Sequence, residues 1–380
     1  MRSIFFLILV FIQICIVLIS CSDTDSESKR IVENPYYTDM GKAFDGMDTK
    51  QLIHDTHSSW THANVAYDNE LDKVIVFYNI KDGHILVRNK VAMRFKDNNN
   101  NFSNLIVVAD RMSEDISCKA QASGIAANGD YISLVAHISN ITGIALGTSI
   151  YRSSDKGRTW LRSDMVANGQ KVIAYCGDVS GFLVLSSGRI LSLACHPMTR
   201  LVRILYSDDN GYTWHFSSVP ECYKHTEPAW CELSDGTIIC YLRATVGDSG
   251  YTEKVPAYFT RSFDKGESWE LPIPSQSILN MNEANGHMIF HKDSKMIELI
   301  HHSRFTESDG FSSIYLSLAT EEDAKQDRMG EDIRIGRLPD QTKGGDSGYI
   351  GACMSKSGDR TFFYYSGTPY RADIYYMVSN

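Results

Sequence analysis

An acidic residue and an arginine stand at the two ends of one predicted β-hairpin. Glu227 precedes a short apolar run, Arg243 ends the next run, and the turn signal Ser234–Gly236 lies between them. Because a hairpin returns the chain to the end it left, the two side chains are predicted to be neighbours. A carboxyl group can move a proton, and a guanidinium binds a carboxylate bidentately. The pair therefore fits acid–base chemistry on an anionic substrate; the alternatives are a surface carboxylate before Pro228 and a structural ion pair.

The elements that position this pair are indicated by an eight-residue pattern that occurs three times. The copies are Ser153–Trp160, Ser207–Trp214 and Ser262–Trp269, with the frame S-x-D-x-G-x-[T/S]-W and tryptophans 54 and 55 residues apart. A fixed period of this length indicates one supersecondary unit per repeat. In the frame, Asp accepts hydrogen bonds from its own turn, Gly takes a positive φ, and Trp buries its ring. Each copy therefore predicts a hairpin turn on a four-stranded sheet, and we expect its residues to hold the turn rather than to catalyse.

Sheets repeated in this way and arranged radially form a β-propeller. About 340 residues remain after an export signal and a tether, and at roughly 55 residues a repeat this is close to six blades. The predicted fold class is an all-β, six-bladed β-propeller. Glu321–Gly330 is the one segment with helical character, and we expect it to form a surface loop.

The first 20 residues predict an export signal, because the charged start Met1–Ser3 is followed by the apolar run Ile4–Ile19. The run ends in Leu18–Cys21, similar to a bacterial lipobox, so cleavage before Cys21 and lipidation of Cys21 are expected; an ordinary cleavage site is the alternative. Residues 21–45 are predicted to be a tether and residues 46–380 the propeller. We therefore expect the protein to be lipid-anchored in the cell envelope.

A Cys21→Ala variant should be released from the membrane fraction or should remain an uncleaved precursor.

Composition restricts the partners. A formal net charge of −9 argues against nucleic acid and against binding to an anionic membrane surface. The chain has nine cysteines, yet it contains no C-x-x-C pair and no His/Cys cluster at zinc spacing. No metal or other cofactor is therefore predicted. Most of the thiols are expected to be buried as small hydrophobes, and a disulfide is possible in an exported protein.

The repeated pattern is known as the Asp box, and it resembles that of sialidases and related glycan-processing propellers. The segment Thr226–Pro228, the hairpin, and Leu242–Thr245 most resemble the catalytic blade of bacteriophage endosialidases, which cut polysialic acid internally. Arg304 matches a second arginine of that family, and the resemblance spans about residues 50 to 380. It implies a glycoside hydrolase of the sialidase (neuraminidase) type, with Glu227, Arg243 and Arg304 as catalytic residues. Its partner would be a sialylated glycan or a polysialic acid-like polymer.

The sequence departs from exo-acting sialidases in its first blade, where an Arg-Ile-Pro segment is absent. This difference favours endo-like over exo-like action. Substrate contacts are expected instead from residues near inner-strand ends and from a late tyrosine pair, Tyr364–Tyr365, which could hold a tyrosine nucleophile of the exo type or simply pack between strands. The expected substrate-binding residues are His54, Asp55, His62, Asp178 and Tyr365.

Three classes of function remain open. The first is a hydrolase for α-linked sialic acid or a related acidic sugar, of endosialidase or exo-sialidase type. The second is a catalytically inactive, lectin-like propeller that binds glycans, and the third is a propeller for protein assembly. The pairing of Glu227 with Arg243 favours the first two over the third. Whether Glu227, Arg243 and Arg304 converge in one pocket is the most useful discriminating observation.

Overall fold

The structure is a computed structural model that describes residues 50–51, 63–80, 88–173, 181–195, 202–218, 226–243, 255–279, 281, 285–303, 313–337, 346–368 and 371–379. In these ranges the chain forms six antiparallel four-stranded sheets and one short β-hairpin. The sheets are the blades of a six-bladed propeller, as the sequence predicts.

The strands of blade 1 are β2 (Asn64–Asp68), β3 (Lys73–Ile80), β4 (Lys90–Lys96) and β5 (Ile106–Ala109). Those of blade 2 are β6 (Ile116–Ile125), β7 (Tyr131–Ser139), β8 (Ala145–Ser153) and β9 (Leu161–Asp164). The short hairpin β10 (Val166–Ala167) and β11 (Gln170–Lys171) follows. Blade 3 has β12 (Phe182–Val184), β13 (Ile190–Cys195), β14 (Val202–Ser207) and β15 (His215–Phe216).

Blade 4 consists of β16 (Thr226–Glu232), β17 (Ile238–Arg243), β18 (Tyr258–Ser262) and β19 (Ile273–Pro274). Blade 5 consists of β20 (Gly286–His291), β21 (Met296–Ser303), β22 (Ser313–Thr320) and β23 (Ile333–Arg337). Blade 6 combines β24 (Asp346–Met354), β25 (Arg360–Thr368) and β26 (Arg371–Ser379) with β1 (Lys50–Gln51) from the other end of the chain. A 3₁₀ turn, Met112–Glu114, and helix α1, Glu321–Lys325, complete the described elements.

Blade 6 closes the ring, because β1 pairs with β26 while the other strands of that sheet come from the C-terminus. The expectation that the C-terminal run completes a shared blade is confirmed. Hydrophobic packing follows the same ring: six clusters each join two neighbouring blades, and one of them joins blade 6 to blade 1. Burial between sheets is thus what fixes the blades to each other.

The Asp boxes connect the third and fourth strands of blades 2, 3 and 4, and their hydrogen bonds repeat almost identically. In the first box, Ser153 Oγ and Asp155 Oδ1 accept the backbone N–H groups of Gly157 and Thr159, both at 2.8 Å. Trp160 Nε1 donates to the Gly157 carbonyl at 3.2 Å. The box glycine has φ near +84°, a conformation that glycine adopts without steric cost. The predicted turn-holding role of these residues is what the structure shows.

Helix α1 is short and occupies the corresponding place in blade 5, between β22 and β23. Thr320 caps it, since its side chain accepts the N–H of Asp323 at 3.1 Å. The segment expected to be a surface loop therefore contains a single capped helical turn.

The box carboxylates give the fold a defined acid sensitivity. Hydrogen bonds from the Thr159 hydroxyl and neighbouring donors lower the pKa of Asp155 to about 2. Partial burial acts to raise the pKa of Asp209 and that of Asp264, but hydrogen bonds from box hydroxyls and amides outweigh it, so both pKa values are lowered. A carboxyl whose pKa is depressed on folding stabilises the protein above its unfolded pKa of about 4 and loses that contribution as pH falls towards about 2.

We therefore expect the melting temperature to fall progressively as the pH is lowered from about 5 to about 2. An Asp155→Asn variant should be less stable than the wild type near neutral pH and should lose less on acidification, because one titrating group is gone. Melting curves of both proteins across this range measure the effect. Identical losses for the two proteins would show that the Asp155 carboxylate makes no linked contribution.

Candidate active site

Glu227 is placed by an irregularity at the start of blade 4. It lies in β16, where the pairing register with β17 shifts between Thr226 and Pro228. Its φ is +57°, which is uncommon for a residue with a side chain. A bulge of this kind redirects a side chain from the regular alternation of a strand. Glu227 is 3% exposed, so a carboxylate is held almost wholly out of water.

Arg243 is the partner of Glu227. It ends β17, directly opposite Thr226 in the register, and its Nη1 donates to Glu227 Oε1. The side chains are 13% and 4% exposed, respectively. Removing both charges from water is costly, and the ion pair and its hydrogen bonds offset part of that cost. The structure thus brings together the two residues that the hairpin geometry paired; their catalytic roles stay predictions.

Tyr349 is the third member of the cluster, and it comes from β24 in blade 6. Its hydroxyl donates to Glu227 Oε1 at 2.7 Å and accepts Arg243 Nη1 at 2.9 Å. Tyr349 also has a positive φ, +52°, and lies where the β24–β25 register shifts between Gly348 and Gly351. A bulky residue in this region of φ is a conformational outlier, and such outliers cluster at functional sites. Two such residues, from blades 4 and 6, therefore meet through their side chains.

Blade 5 supports the bulge that carries Tyr349. The buried side chain of Asn285 accepts the N–H of Ile350 through Oδ1 at 3.0 Å, and its Nδ2 donates to the carbonyl of the same residue at 3.5 Å. A Cβ added to Gly348, whose φ is +132°, would lie 1.8 Å from Nε2 of His302. His302 is fully buried, and its ring lies 6.3 Å from that of Tyr349. Only glycine therefore lets β24 pass this imidazole.

The late tyrosine pair lies behind the cluster. Tyr365 is fully buried and stacks on Tyr349, with ring centroids 5.9 Å apart and an interplanar angle of 18°. Tyr364 is also buried and stacks on Tyr375 across the β25–β26 pair at 5.9 Å. Tyr364 thus packs between strands, which was one of the two alternatives. The tyrosine hydroxyl that contacts Glu227 belongs to Tyr349, a residue that sequence reasoning did not select.

The cluster has the components of an activated nucleophile. Glu227 Oε1 accepts the hydrogen bond of the Tyr349 phenol, so it can take the phenol proton when Tyr349 attacks an electrophile. Arg243 Nη1 lies against the same phenol oxygen and can stabilise negative charge there. Carboxylate, phenol and guanidinium are mutually in contact, and all three are shielded from water. Electrostatic interactions are stronger in such a water-excluded site than in solvent.

Several predicted site residues lie outside the described residues: His54, Asp55, His62, Asp178, Arg304 and Cys21. Within the described ranges, no group of His, Cys, Asp or Glu side chains could hold a metal ion. No helix among the described residues is long and apolar enough to cross a membrane.

The described cysteines are Cys118, Cys195, Cys231, Cys240 and Cys353, and all five are buried free thiols. Burial raises the pKa of the Cys118 thiol and that of the Cys353 thiol to about 12. These thiols are therefore protonated at neutral pH and pack as small hydrophobic groups, as expected from the sequence.

The fold and the three Asp boxes define a β-propeller with BNR-type repeats. The chain belongs to the BNR repeat-like domain family, whose sequence profile matches residues 80–303. No curated protein sequence matches it.

Solved structures with the same fold include a protein of unknown function from Dyadobacter fermentans. It is 15% identical with a TM-score of 0.67, over 87% of this chain and 97% of that one. The NanB sialidase of Streptococcus pneumoniae is 12% identical with a TM-score of 0.62, over 88% of this chain and 70% of that one. A leech intramolecular trans-sialidase, complexed with 2,7-anhydro-Neu5Ac, is 11% identical with a TM-score of 0.63, over 88% and 70%. At these identities the similarity shows the fold alone.

Proposed function

We propose that the protein is a glycoside hydrolase that cleaves α-linked sialic acid, or a related acidic sugar, in glycans. The observation that carries this proposal is the contact of Tyr349, Glu227 and Arg243, contributed by two separate blades of the propeller. A glycosidase that uses tyrosine as nucleophile is the arrangement of sialidases. The sialidase-fold neighbours, one of them bound to a sialic acid derivative, support the same substrate class.

In this mechanism Tyr349 attacks the anomeric carbon while its proton passes to Glu227 Oε1, and the bond from that carbon to the leaving oxygen breaks as the leaving oxygen takes a proton from solvent water. A water then attacks the anomeric carbon of the tyrosyl glycoside and gives up a proton to solvent, and the bond to Tyr349 breaks as Glu227 returns the proton to the phenol oxygen. A tyrosine suits a sialic acid because the anomeric carbon carries a carboxylate, which would repel a carboxylate nucleophile. Arg243 stabilises the phenolate, and Arg243 and Arg304 are proposed to bind the carboxylate of the sugar.

Two features bear on whether the enzyme cleaves within a polymer or at its end, and they favour different answers. The absence of an Arg-Ile-Pro segment in the first blade favours endo-like action on a polysialic acid-like polymer. The tyrosine–glutamate pair is the feature expected of exo-sialidases. Incubation with polysialic acid, beside a simple terminal sialoside, separates the two: shorter oligomers without free monomer indicate endo action, and free monomer alone indicates exo action.

The covalent step has a direct test. A 2,3-difluoro sialic acid forms a slowly hydrolysed glycosyl–enzyme, so the intact mass should rise by one sugar residue, and peptide mapping should place the addition on Tyr349. Tyr349→Phe should remove the label, whereas Tyr364→Phe should keep it because Tyr364 packs on Tyr375. No labelling and no cleavage of any sialylated substrate, together with binding that depends on Arg243, would instead identify a lectin-like propeller.

A further inference from the structure

A cavity of about 180 Å³ lies over the second to fourth strands of blade 2. Among the side chains that line it are Arg111, His137, Arg162, Asp164 and Lys171. The Glu227–Tyr349 contact, by contrast, is made by the first strands of blades 4 and 6. The two places therefore use different strands and share none of their residues.

Positive charge dominates the lining of this cavity. Two arginines and one lysine face a single lining carboxylate, that of Asp164. The contacts of Asp164 are long, 3.4 Å to Arg162 Nη2 and 3.9 Å to Lys171 Nζ. Arg111 is held by Glu114, outside the lining, with Nε donating to Oε1 at 2.9 Å. Three cations against two carboxylates give a local positive surplus in a chain of net charge −9.

His137 adds a buried donor to the same lining, being only 3% exposed. Its Nδ1 lies 3.6 Å from Cys118 Sγ on β6, and burial keeps that thiol protonated. A protonated thiol can donate to Nδ1, and in that tautomer the imidazole proton is on Nε2. Nε2 is buried and has no hydrogen-bond partner among the described residues. A buried N–H group without an acceptor is costly, so an acceptor in the cavity would stabilise the protein.

Lys171 is placed at the cavity by specific packing. A Cβ added to Gly147 on β8 would lie 2.4 Å from Lys171 Cε, and Gly147 has a φ of +139°. Glycine at this position thus lets the lysine stem lie across the strand. Lys171 belongs to the hairpin β10–β11, which is attached to the next blade through the bridge between Ala167 and Trp214. The backbone that carries Lys171 is therefore held by two neighbouring elements, and its side chain is 50% exposed.

We propose that this cavity binds a small oxyanion, namely a carboxylate, sulfate or phosphate group. The cationic side chains supply charge, and His137 Nε2–H supplies a directed hydrogen bond to an anion oxygen. The volume holds the anionic group and a few further atoms rather than a whole drug-sized ligand, which needs at least about 300 Å³. The inference does not depend on the proposed glycosidase activity.

The binding test follows the Nε2–H resonance of His137 by NMR during titration with inorganic phosphate, with sulfate and with free sialic acid. We expect a saturable shift with a dissociation constant in the millimolar range or below, and the tightest of the three anions identifies the kind of group the site prefers. Arg162→Ala and Lys171→Ala should each weaken binding about tenfold. Lys292→Ala removes an exposed lysine in blade 5 and should not change this affinity.

Thermal unfolding gives an independent measure, because a ligand that binds only the native state raises the melting temperature. The tightest anion should raise it for the wild type and for Lys292→Ala, but much less for Lys171→Ala. The proposal is overturned if no saturable His137 shift appears up to about 50 mM anion. Equal affinity of the wild type and both cavity variants would overturn it as well.

Discussion

Replacing Glu227 by Gln should lower turnover of sialosides by about 10²–10⁴-fold while the protein stays folded. Glutamine keeps the shape of the side chain and can still accept a hydrogen bond from Tyr349, but it cannot take the phenol proton. The loss should therefore appear in kcat, measured by release of sialic acid or of shorter oligomers, with the melting curve as the check on folding.

Glu232→Gln is a matched control for this change. Glu232 lies on the same strand, β16, and its carboxylate accepts the backbone N–H and the hydroxyl of Ser186. Neither of these two hydrogen bonds involves Tyr349 or Arg243. The substitution of Glu232 should therefore alter stability slightly and leave kcat unchanged. Equal activity of Glu227→Gln and the wild type would remove Glu227 from the mechanism.

The coupling between Glu227 and Arg243 can be measured in the same assay. Arg243→Lys keeps one positive charge but loses the planar fork, so it should reduce both substrate affinity and turnover. If both residues act on one transition state, the double variant should lose less than the product of the two single losses. Independent, multiplicative losses would indicate that the ion pair is structural.

The sequence predicts the fold well because the Asp box is a local device. Its Ser, Asp, Gly and Trp interact within eight residues, so tertiary packing is not needed to recognise them. Blades 1, 5 and 6 are harder to predict from the sequence, because other kinds of turn replace the Asp box in them. In blade 1, Asp97 accepts the N–H groups of Asn99 and Asn101 at 2.9 and 2.7 Å, a related turn without the tryptophan.

The part of the candidate site that lies on one hairpin could be predicted from the sequence. Glu227 and Arg243 pair because one short turn joins their strands, a relation visible in the chain. Tyr349 is separated from them by more than a hundred residues, and a bulge, rather than strand alternation, directs its side chain. Glycines flanking a tyrosine within a strand, as Gly348 and Gly351 do, are the signal that could have indicated this bulge. The tyrosine nucleophile considered from the sequence lay instead in the Tyr364–Tyr365 pair.

Replacing Trp214 by Ala should lower the free energy of unfolding by about 3–5 kcal/mol, the range for truncating a buried aromatic side chain. Trp214 is 2% exposed and belongs to the cluster that joins blades 2 and 3. Its Nε1 donates to the Gly211 carbonyl at 3.1 Å, so the ring also fixes its own box turn. Urea or thermal unfolding measures the loss.

Tyr212→Ala, in the same box, is the control for Trp214→Ala. Tyr212 is 64% exposed, and its main contact is with the guanidinium of Arg152, 3.8 Å from the ring centroid. Its loss should therefore cost less than about 1 kcal/mol. Because the box holds the turn and takes no part in the reaction, the folded fraction of Trp214→Ala should keep the kcat of the wild type. A variant that kept its melting temperature but lost its activity would contradict this, and would place the box in the reaction itself rather than in the architecture that brings Glu227 to Tyr349.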